Sequence, residues 1–457
     1  MNFSRRAFIG GAAVFGAYTY SRAFAAPEGL FSGTGAALIL GVISDIHVAE
    51  GRGDFRKFGD AVQFKKTLRW FDEQGVDGVV VAGDMADNGM INQLEKVGEA
   101  WFKVFPNGKS LRDGRKVEQL FVYGNHDIEG QNYDHYADRF QDKESYGKFL
   151  ICRDKAKAWK DVFKEEYAPI WMKTVKGYQF VGAHWDTWDG IRDVERWFKA
   201  NAAKIDRTKP FFYIQHPHPG GTVYGKDAWC ADKGYAARAL SAFPNAVAFS
   251  GHSHESLTDE RSIWQGAFTS IGTSSLRYGG EVDQYEQRQG MLVKVYADRI
   301  VLVRRDFLHD QSLGADWVIP LPACTGGAET RPYAFDVRGA KSAAPKFAAG
   351  AKVTVTREKD GWLVEIPCAN AGETRAFKYE IATGLKDKDG NEITFKAYDS
   401  KYNMPRGMAG QVTRYLVKSK EVPRELEKIR VYPLDSFGNR GEGLEAADLV
   451  GAGRTFG

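Results

Sequence analysis

The sequence predicts an α/β layered domain followed by a small all-β sandwich of the fibronectin or immunoglobulin type, and three features of its texture carry that prediction. From Leu38 onward, short apolar runs rich in β-formers alternate with longer segments of helical period. After about Trp317 that rhythm stops and a Pro/Gly/Ala-rich stretch takes over. Beyond Ala351, apolar and polar residues alternate around a Lys-Asp-Gly turn, the period of strands with one face buried. A chain of 457 residues has room for two such domains. With 43% apolar, 13% aromatic and 27% charged residues, it has the composition of a folded protein, and no apolar run beyond the N-terminus is long enough to span a bilayer.

Residues 1–25 are of another kind. Paired arginines precede a short Gly/Ala-rich apolar stretch, and Ala23-Phe24-Ala25 offers the small-x-small pattern of a cleavage site. Ser4-Arg5-Arg6-Ala7-Phe8-Ile9 resembles the twin-arginine consensus of bacterial export, whose machinery moves folded cargo, so the expected location is the periplasm or the cell exterior. Removing the three arginines of this segment, with no acidic residue before Ala26, takes the net charge from +4 to +1. No global basic field remains that would argue for nucleic acid. Cys152, Cys230, Cys324 and Cys368 show neither CxxC nor zinc-finger spacing. A protein folded before export does not depend on an oxidising compartment, so they read as buried thiols or at most one or two disulfides.

The layered domain is expected over residues 30–317. Its first run, LILGVIS, ends at Asp45, and a helical stretch, AVQFKKTLRWFDEQG, is stopped by Gly75. Strands follow at VDGVVVAG, VEQLFVYG, YQFVGAHW, KPFFYIQ, NAVAFSG and AFTSIGTSS, and the stretch from Met291 to Phe307 reads as a closing hairpin around Ala297-Asp298. Residues 318–350 read as a linker, and residues 351–457 as the β domain. The DKDGNE segment has its glycine at the fourth place and lacks the distal glutamate of a calcium loop, so it reads as a hairpin turn.

Ser250-Gly251-His252-Ser253-His254 closes the run AVAFS and spends two of the chain's nine histidines. Side chains two apart on extended backbone point the same way, so both rings can reach one locus. Other strand ends repeat the theme. Asp45-Ile46-His47 follows the first run, Gly83-Asp84 the second, Gly124-Asn125-His126-Asp127 the third, and His216 the run FFYIQ. Each fragment alone also reads as an ordinary turn; their order, always directly behind an apolar run, is what sets them apart. The carboxyl ends of strands in an open α/β sheet form the crevice where ligands sit. Mixed Asp/His/Asn ligation suits borderline divalent ions such as Mn, Fe, Zn, Co or Ni. The seven residues Asp45, His47, Asp84, Asn125, His216, His252 and His254 are too many for one zinc ion and suit two ions sharing a carboxylate, for which Asp84 is the natural bridge.

In this order DxH, GDxxD, GNHD, a lone His and GHxH resemble the signature of calcineurin-like metallophosphoesterases, and the resemblance spans residues 45–254. It implies a four-layer α/β-β/α sandwich and a hydrolase of phosphate esters. It implies one metal on Asp45, His47, Asp84 and His254 and the other on Asp84, Asn125, His216 and His252, with His218 the alternative to His216 because QHPHP offers two imidazoles. It further implies attack by a hydroxide shared between the ions, with His126 protonating or stabilising the leaving oxygen and Asp87 orienting His126. Relatives with DxH include many phosphodiesterases, so diesters are favoured over monoesters. The chain departs from the related purple acid phosphatases, which lack the DxH histidine and place a metal-binding tyrosine where Asp87 stands. Arg52 and Arg56 after DxH, and Arg277 and Tyr278 after GTSSL, are candidates for contact with a small phosphoester substrate, since arginine suits phosphate. His184, Trp185 and Asp186 end another strand and are expected to support the ligands from behind.

A metallo-β-lactamase-like hydrolase would need HxHxDH, which HSHES does not supply, and an amidohydrolase would place HxH on the first strand, where this chain has DIH. The reading from a different class is an exported, non-catalytic binding protein with a degenerate first domain; the intact set of seven ligand positions and His126 argues against it.

Overall fold

A strand covered on both faces must be apolar at nearly every position, and the runs LILGVI, GVVVA, FFYI and AVAFS are of that kind. The computed structural model describes residues 35–49, 61–128, 154–185, 191–225, 230–279, 285–371, 374–399, 412–422, 426 and 428–450, and each of these runs lies inside a sheet. In chain order the strands of the first domain are β1 (Leu38–Ile43), β2 (Gly78–Ala82), β3 (Glu118–Val122), β4 (Ile170–Val175), β5 (Tyr178–Ala183), β6 (Phe211–Ile214), β7 (Ala246–Ser250), β8 (Ile263–Gln265), β9 (Thr269–Gly272), β10 (Tyr278–Gly279), β11 (Tyr285–Glu286), β12 (Gln289–Val295), β13 (Arg299–Asp306), β14 (Gln311–Ser312) and β15 (Trp317–Pro320). The helices are α1 (Ala61–Glu73), α2 (Ile91–Val104), α3 (Asn125–Ile128), α4 (Lys155–Phe163), α5 (Val194–Asn201), α6 (Tyr235–Leu240) and α7 (Phe335–Lys341). One sheet runs β14-β13-β12-β1-β2-β3, with β15 also on β13; the other runs β4-β5-β6-β7-β9-β8. β1, β2 and β3 are parallel to one another, as are β5, β6, β7 and β9, so each sheet delivers several carboxyl ends to one edge.

The period of two along each strand sorts its side chains into two cores. Leu38, Leu40 and Val42 of β1, Val80 and Ala82 of β2, and Leu120 and Val122 of β3 face Phe212 and Ile214 of β6 and Val247 and Phe249 of β7, making a core between the sheets. The alternate residues point outward. Val79, Val81 and Phe121 meet Phe64, Leu68 and Phe71 of α1, Leu94 and Trp101 of α2, and Trp159 and Phe163 of α4. On the far side, Phe211, Tyr213, Ala246 and Ala248 meet Val194 and Phe198 of α5 and Leu240 of α6. The result is helix, sheet, sheet, helix: four layers. The glycine stop after α1 is present, with Gly75 at φ +76° receiving no side-chain penalty. The β12–β13 hairpin closes the first sheet around Ala297-Asp298.

The stretch read from composition as a linker is structured along much of its length. β15 pairs with β13, Tyr333 is buried in the core between the sheets, and the backbones of Tyr333 and Gln265 are hydrogen-bonded, so residues 317–334 pack on the first domain. Proline and glycine there shape a packed crossing rather than a loose tether.

The β domain comprises β16 (Lys346–Phe347), β17 (Val353–Glu358), β18 (Gly361–Pro367), β19 (Ala369–Ala371), β20 (Thr374–Arg375), β21 (Lys378–Lys386), β22 (Glu392–Tyr398), β23 (Val412–Lys418), β24 (Arg430–Leu434) and β25 (Leu444–Val450). Its all-β character matches the expectation; its connectivity differs from two separate facing sheets. Seven strands form one path, β22-β21-β24-β25-β17-β18-β23, because the start of β25 pairs with β24 while its body runs parallel to β17. Val355, Val364, Tyr379, Ile381 and Val431 fill its core. The DKDGNE segment is the hairpin turn between β21 and β22, with Asp387 Oδ1 accepting from the N–H groups of Asp389 and Asn391. The domain rests on the first through Ser436, which donates to the Glu260 carboxylate, and through Phe377, whose ring lies 3.8 Å from the Arg261 guanidinium carbon.

Candidate metal centre

Where the parallel strands end, the chain turns sharply, and it does so with Asp and His rather than glycine in the left-handed region. Asp45 (φ 53°), His47 (49°), Asp84 (52°), His252 (77°) and His254 (55°) all have positive φ without being glycine. Each such residue costs on the order of 1 kcal/mol, and a cluster of them marks a place where side-chain direction outweighs backbone comfort. Two backbone links keep the turns from both halves in register: Asp45 N–H donates to Gly83 O, and Gly251 N–H donates to His216 O.

The side chains converge in two groups. In the first, Asp45 Oδ1 is 2.9 Å from His254 Nε2, His47 Nε2 is 3.1 Å from His254 Nε2, and Asp84 Oδ2 is 3.7 Å from His47 Nε2. In the second, Asp84 Oδ2 is 3.0 Å from His216 Nε2, with His252 close by. Asp84 belongs to both groups. Its Oδ1 is occupied by the N–H of His126 at 2.9 Å, which leaves Oδ2 as the shared atom. Asn125 sits between His126 and Gly124, both of which abut Asp84.

These atoms fit a divalent cation and little else. His216 donates Nδ1–H to Ala82 O (2.7 Å) and His254 donates Nδ1–H to Tyr278 O (3.1 Å), while His47 Nδ1 faces Asp87 Oδ1 at 3.3 Å. With the proton on Nδ1, each Nε2 presents a lone pair inward, beside carboxylate oxygens. Asp84 Oδ2 and His216 Nε2 are buried and face each other, and with the Nδ1 proton of His216 directed at Ala82 O a proton or a metal ion must sit between them. The protonation equilibria reflect the same pull. Burial alone lowers His216, but Asp84 and Asp45 outweigh it and hold the imidazole up at about 9. Burial likewise opposes charge on Asp45 and Asp84, yet His254 and His216 respectively, with the other imidazoles, keep both carboxyls well below the usual range. Metal would replace those protons. The donor set, imidazole and carboxylate without thiolate, is that of the borderline divalent ions.

The glycines of the sequence motifs have a physical reason. A Cβ on Gly83 would overlap the His216 ring, one on Gly124 would overlap the Asp84 carboxylate, and one on Gly251 would overlap Asp45 Oδ2. Each motif glycine thus clears room for a ligand from a different strand end. Gly124→Ala is expected to push Asp84 off its shared position and weaken metal uptake by about tenfold or more, read by metal titration of the purified variant.

Several supports were invisible in the sequence. Ser44 Oγ–H donates to Asp45 Oδ2 and in turn accepts from Thr273 Oγ1 (2.7 Å), fixing Asp45 Oδ1 toward the site. His218 is excluded as a ligand: both its nitrogens are engaged, with Ser250 Oγ (2.9 Å) and Ser253 Oγ (2.8 Å), so it braces the turn that carries His252 and His254 while His216 faces the carboxylates. Gln287 Nε2 donates to His254 O. His184 and Trp185 do support the site from behind, as expected: His184 Nδ1 accepts from Tyr123 N–H, Trp185 N–H donates to Tyr123 O, and the Trp185 ring lies 5.5 Å from that of His252. Asp186 lies outside the described residues.

His184 also has a consequence for stability. Burial, with Lys155 and Lys173 nearby, pushes its imidazole down to about 3. The unfolded chain takes up this proton near pH ~6.5 and the folded protein only far below, so the group is silent above about pH 6.5 and destabilises as the pH falls from there toward 3. His184→Gln is expected to flatten that fall by about 1.4 kcal/mol per pH unit between about pH 6 and pH 4, measured by urea unfolding at each pH.

Asp87 does meet His126, by its main chain. Its backbone carbonyl, not its carboxylate, holds His126, accepting from Nδ1 at 2.8 Å. The carboxylate instead faces His47 and accepts from Arg277 Nη1 at 2.6 Å. Arg277, expected at the substrate, is 3% exposed, and its Nη1 is directed inward, to Asp87 Oδ1 and to His47 O (2.7 Å). Tyr278 does line the site, with its ring 4.3 Å from His254 and 5.3 Å from His47. Arg52 and Arg56 lie outside the described residues.

Residues 39–256 match the model of the calcineurin-like phosphoesterase family, and that segment contains every residue of both groups. No curated protein matches the chain. Among solved structures the chain is similar to a dimetal phosphatase from Danio rerio, at 12% identity over 61% of this chain and 99% of that one, with a TM-score of 0.37. It is also similar to a purple acid phosphatase from yellow lupin (Lupinus luteus) seeds, at 14% identity over 62% of this chain and 53% of that one, with a TM-score of 0.43. A third is an archaeal phosphodiesterase, at 13% identity over 62% of this chain and 99% of that one, with a TM-score of 0.24.

Proposed function

We propose that the protein is an exported dinuclear-metal phosphoesterase that hydrolyses phosphate esters, diesters in preference to monoesters. The observation that carries this reading is Asp84, a buried carboxylate whose Oδ2 is common to two groups of imidazole and carboxylate donors inside a segment matched by a phosphoesterase family model. Asp45, His47, Asp84 and His254 would hold one ion; Asp84, Asn125, His216 and His252 would hold the other. When bound, such a pair supplies an acidified water as nucleophile and neutralises the phosphoryl oxygens. The chain's own residues do the rest. His126 is half-buried at the rim, and with Nδ1 fixed on Asp87 O it turns Nε2 toward the leaving oxygen as general acid. The twin-arginine segment Ser4–Ile9 supports export, and the domain's DxH motif supports the preference for diesters. The test is the purified protein loaded in turn with Mn, Zn or Fe and offered paired aryl phosphate mono- and diesters, then natural nucleotides and glycerophosphodiesters. Turnover of the diester above the monoester is expected; a metal-loaded protein inert toward every ester overturns the reading.

A further inference from the structure

We infer that Arg277 is a positioning residue that sets the geometry of the His47 metal site and of His126 together, acting through Asp87; the inference rests on the dinuclear reading above. Arg277 follows β9, far along the chain from what it touches. Its Nη1 donates to His47 O in the turn after β1 and to Asp87 Oδ1 in the turn after β2, so one nitrogen ties three strand-end turns at a buried point. Asp87 then acts with two different groups. Its Oδ1 faces His47 Nδ1 at 3.3 Å, which places the proton on Nδ1 and directs Nε2 at Asp45, Asp84 and His254. Its carbonyl accepts from His126 Nδ1. Asn88 Nδ2 donates to Asp87 Oδ2, so with Arg277 on Oδ1 the carboxylate is gripped at both oxygens. A bidentate or shared guanidinium contact of this kind is one that lysine reproduces only in part.

Arg277 touches His47's turn and Asp87 but neither Asp84's partner His216 nor His252 in any contact described above, so its loss falls unevenly. Arg277→Met is expected to weaken one of two metal-binding classes by about 10–100-fold, the class that Asp45→Ala abolishes, and to leave the other within about threefold. Arg277→Lys should recover part of that loss. Asp87→Asn separates the two arms: it removes the carboxylate but keeps the carbonyl, so it should weaken the same metal class while preserving the ratio of turnover on poor and good leaving groups, which Arg277→Met should disturb. The experiment is calorimetric titration of Co²⁺ into the wild-type protein and these variants, with turnover on an alkyl and an aryl ester for each. If the wild type binds two ions and Arg277→Met binds both with unchanged affinity, the inference is overturned and the dinuclear reading stands. If both classes fall equally along with thermal stability, Arg277 is a scaffold residue only, and the inference is again overturned. If Arg277→Met does not fold, Asp87→Asn decides by the same criterion. A wild-type protein that takes up no Co²⁺ overturns the dinuclear reading itself.

Discussion

Replacing Asp84 with alanine is expected to strip both metal ions from the protein at once and to lower phosphoester turnover on the order of 10⁴-fold or more. The magnitude follows from what the ions supply, several kcal/mol of charge stabilisation together with a nucleophile at neutral pH, and each 1.4 kcal/mol is about tenfold in rate. The simultaneity follows from geometry. Oδ2 of Asp84 is the atom near both His47 and His216, while Oδ1 is already held by the N–H of His126. Losing the carboxylate therefore leaves each group one anionic ligand short and also frees the turn that carries Asn125 and His126. His216→Ala is the control, because His216 belongs to one group only. It should release one ion per chain and keep the other. Elemental analysis of the two variants after dialysis distinguishes a shared carboxylate from two independent sites: two ions retained by Asp84→Ala, or one ion lost from each variant, would refute the bridge.

What the sequence made legible was whatever repeats locally. A buried strand announces itself as an unbroken apolar run, and β1, β2, β6 and β7 fall where LILGVI, GVVVA, FFYI and AVAFS predict them. The candidate ligands were legible for the same reason, since each directly follows such a run and parallel strands place their carboxyl ends at one edge. What stayed hidden depends on long-range pairing. Asp87 and Arg277 are separated by 190 positions, and nothing near either one indicates that they meet; an exposed-looking Arg-Tyr pair after a Gly/Ser turn reads as a substrate contact until the fold turns the guanidinium inward. Residues 317–334 misled through composition, because a proline- and glycine-rich crossing that docks on β13 has the same local texture as a free linker. The parallel pairing of β25 with β17 is invisible to any reading built on successive hairpins. His216 and His218 differ only in what the folded chain places around them: two serine hydroxyls take both nitrogens of His218, whereas one carbonyl takes Nδ1 of His216 and leaves Nε2 against a carboxylate.

The second large effect belongs to His126, and its signature lies in which substrates suffer. His126→Ala is expected to retain both metals and to lose about 10²–10⁴-fold in turnover on esters with poor, alkyl-type leaving groups. Retention follows from the contacts: it is the backbone N–H of His126 that binds Asp84 Oδ1, and alanine keeps that N–H. The imidazole makes its own bond to Asp87 O through Nδ1, so any proton it passes to a leaving group travels through Nε2, on a ring standing edge-on to His47 with centroids 4.6 Å apart. An aryl leaving group such as a nitrophenolate departs without needing that proton, and its turnover should fall far less than that of the alkyl ester. Steady-state rates on a matched alkyl and aryl pair, with metal content measured on the same samples, read these expectations. Equal losses on both leaving groups with full metal content would remove proton donation from the role of His126, and loss of metal along with activity would make the imidazole a structural support of the Asp84 turn instead.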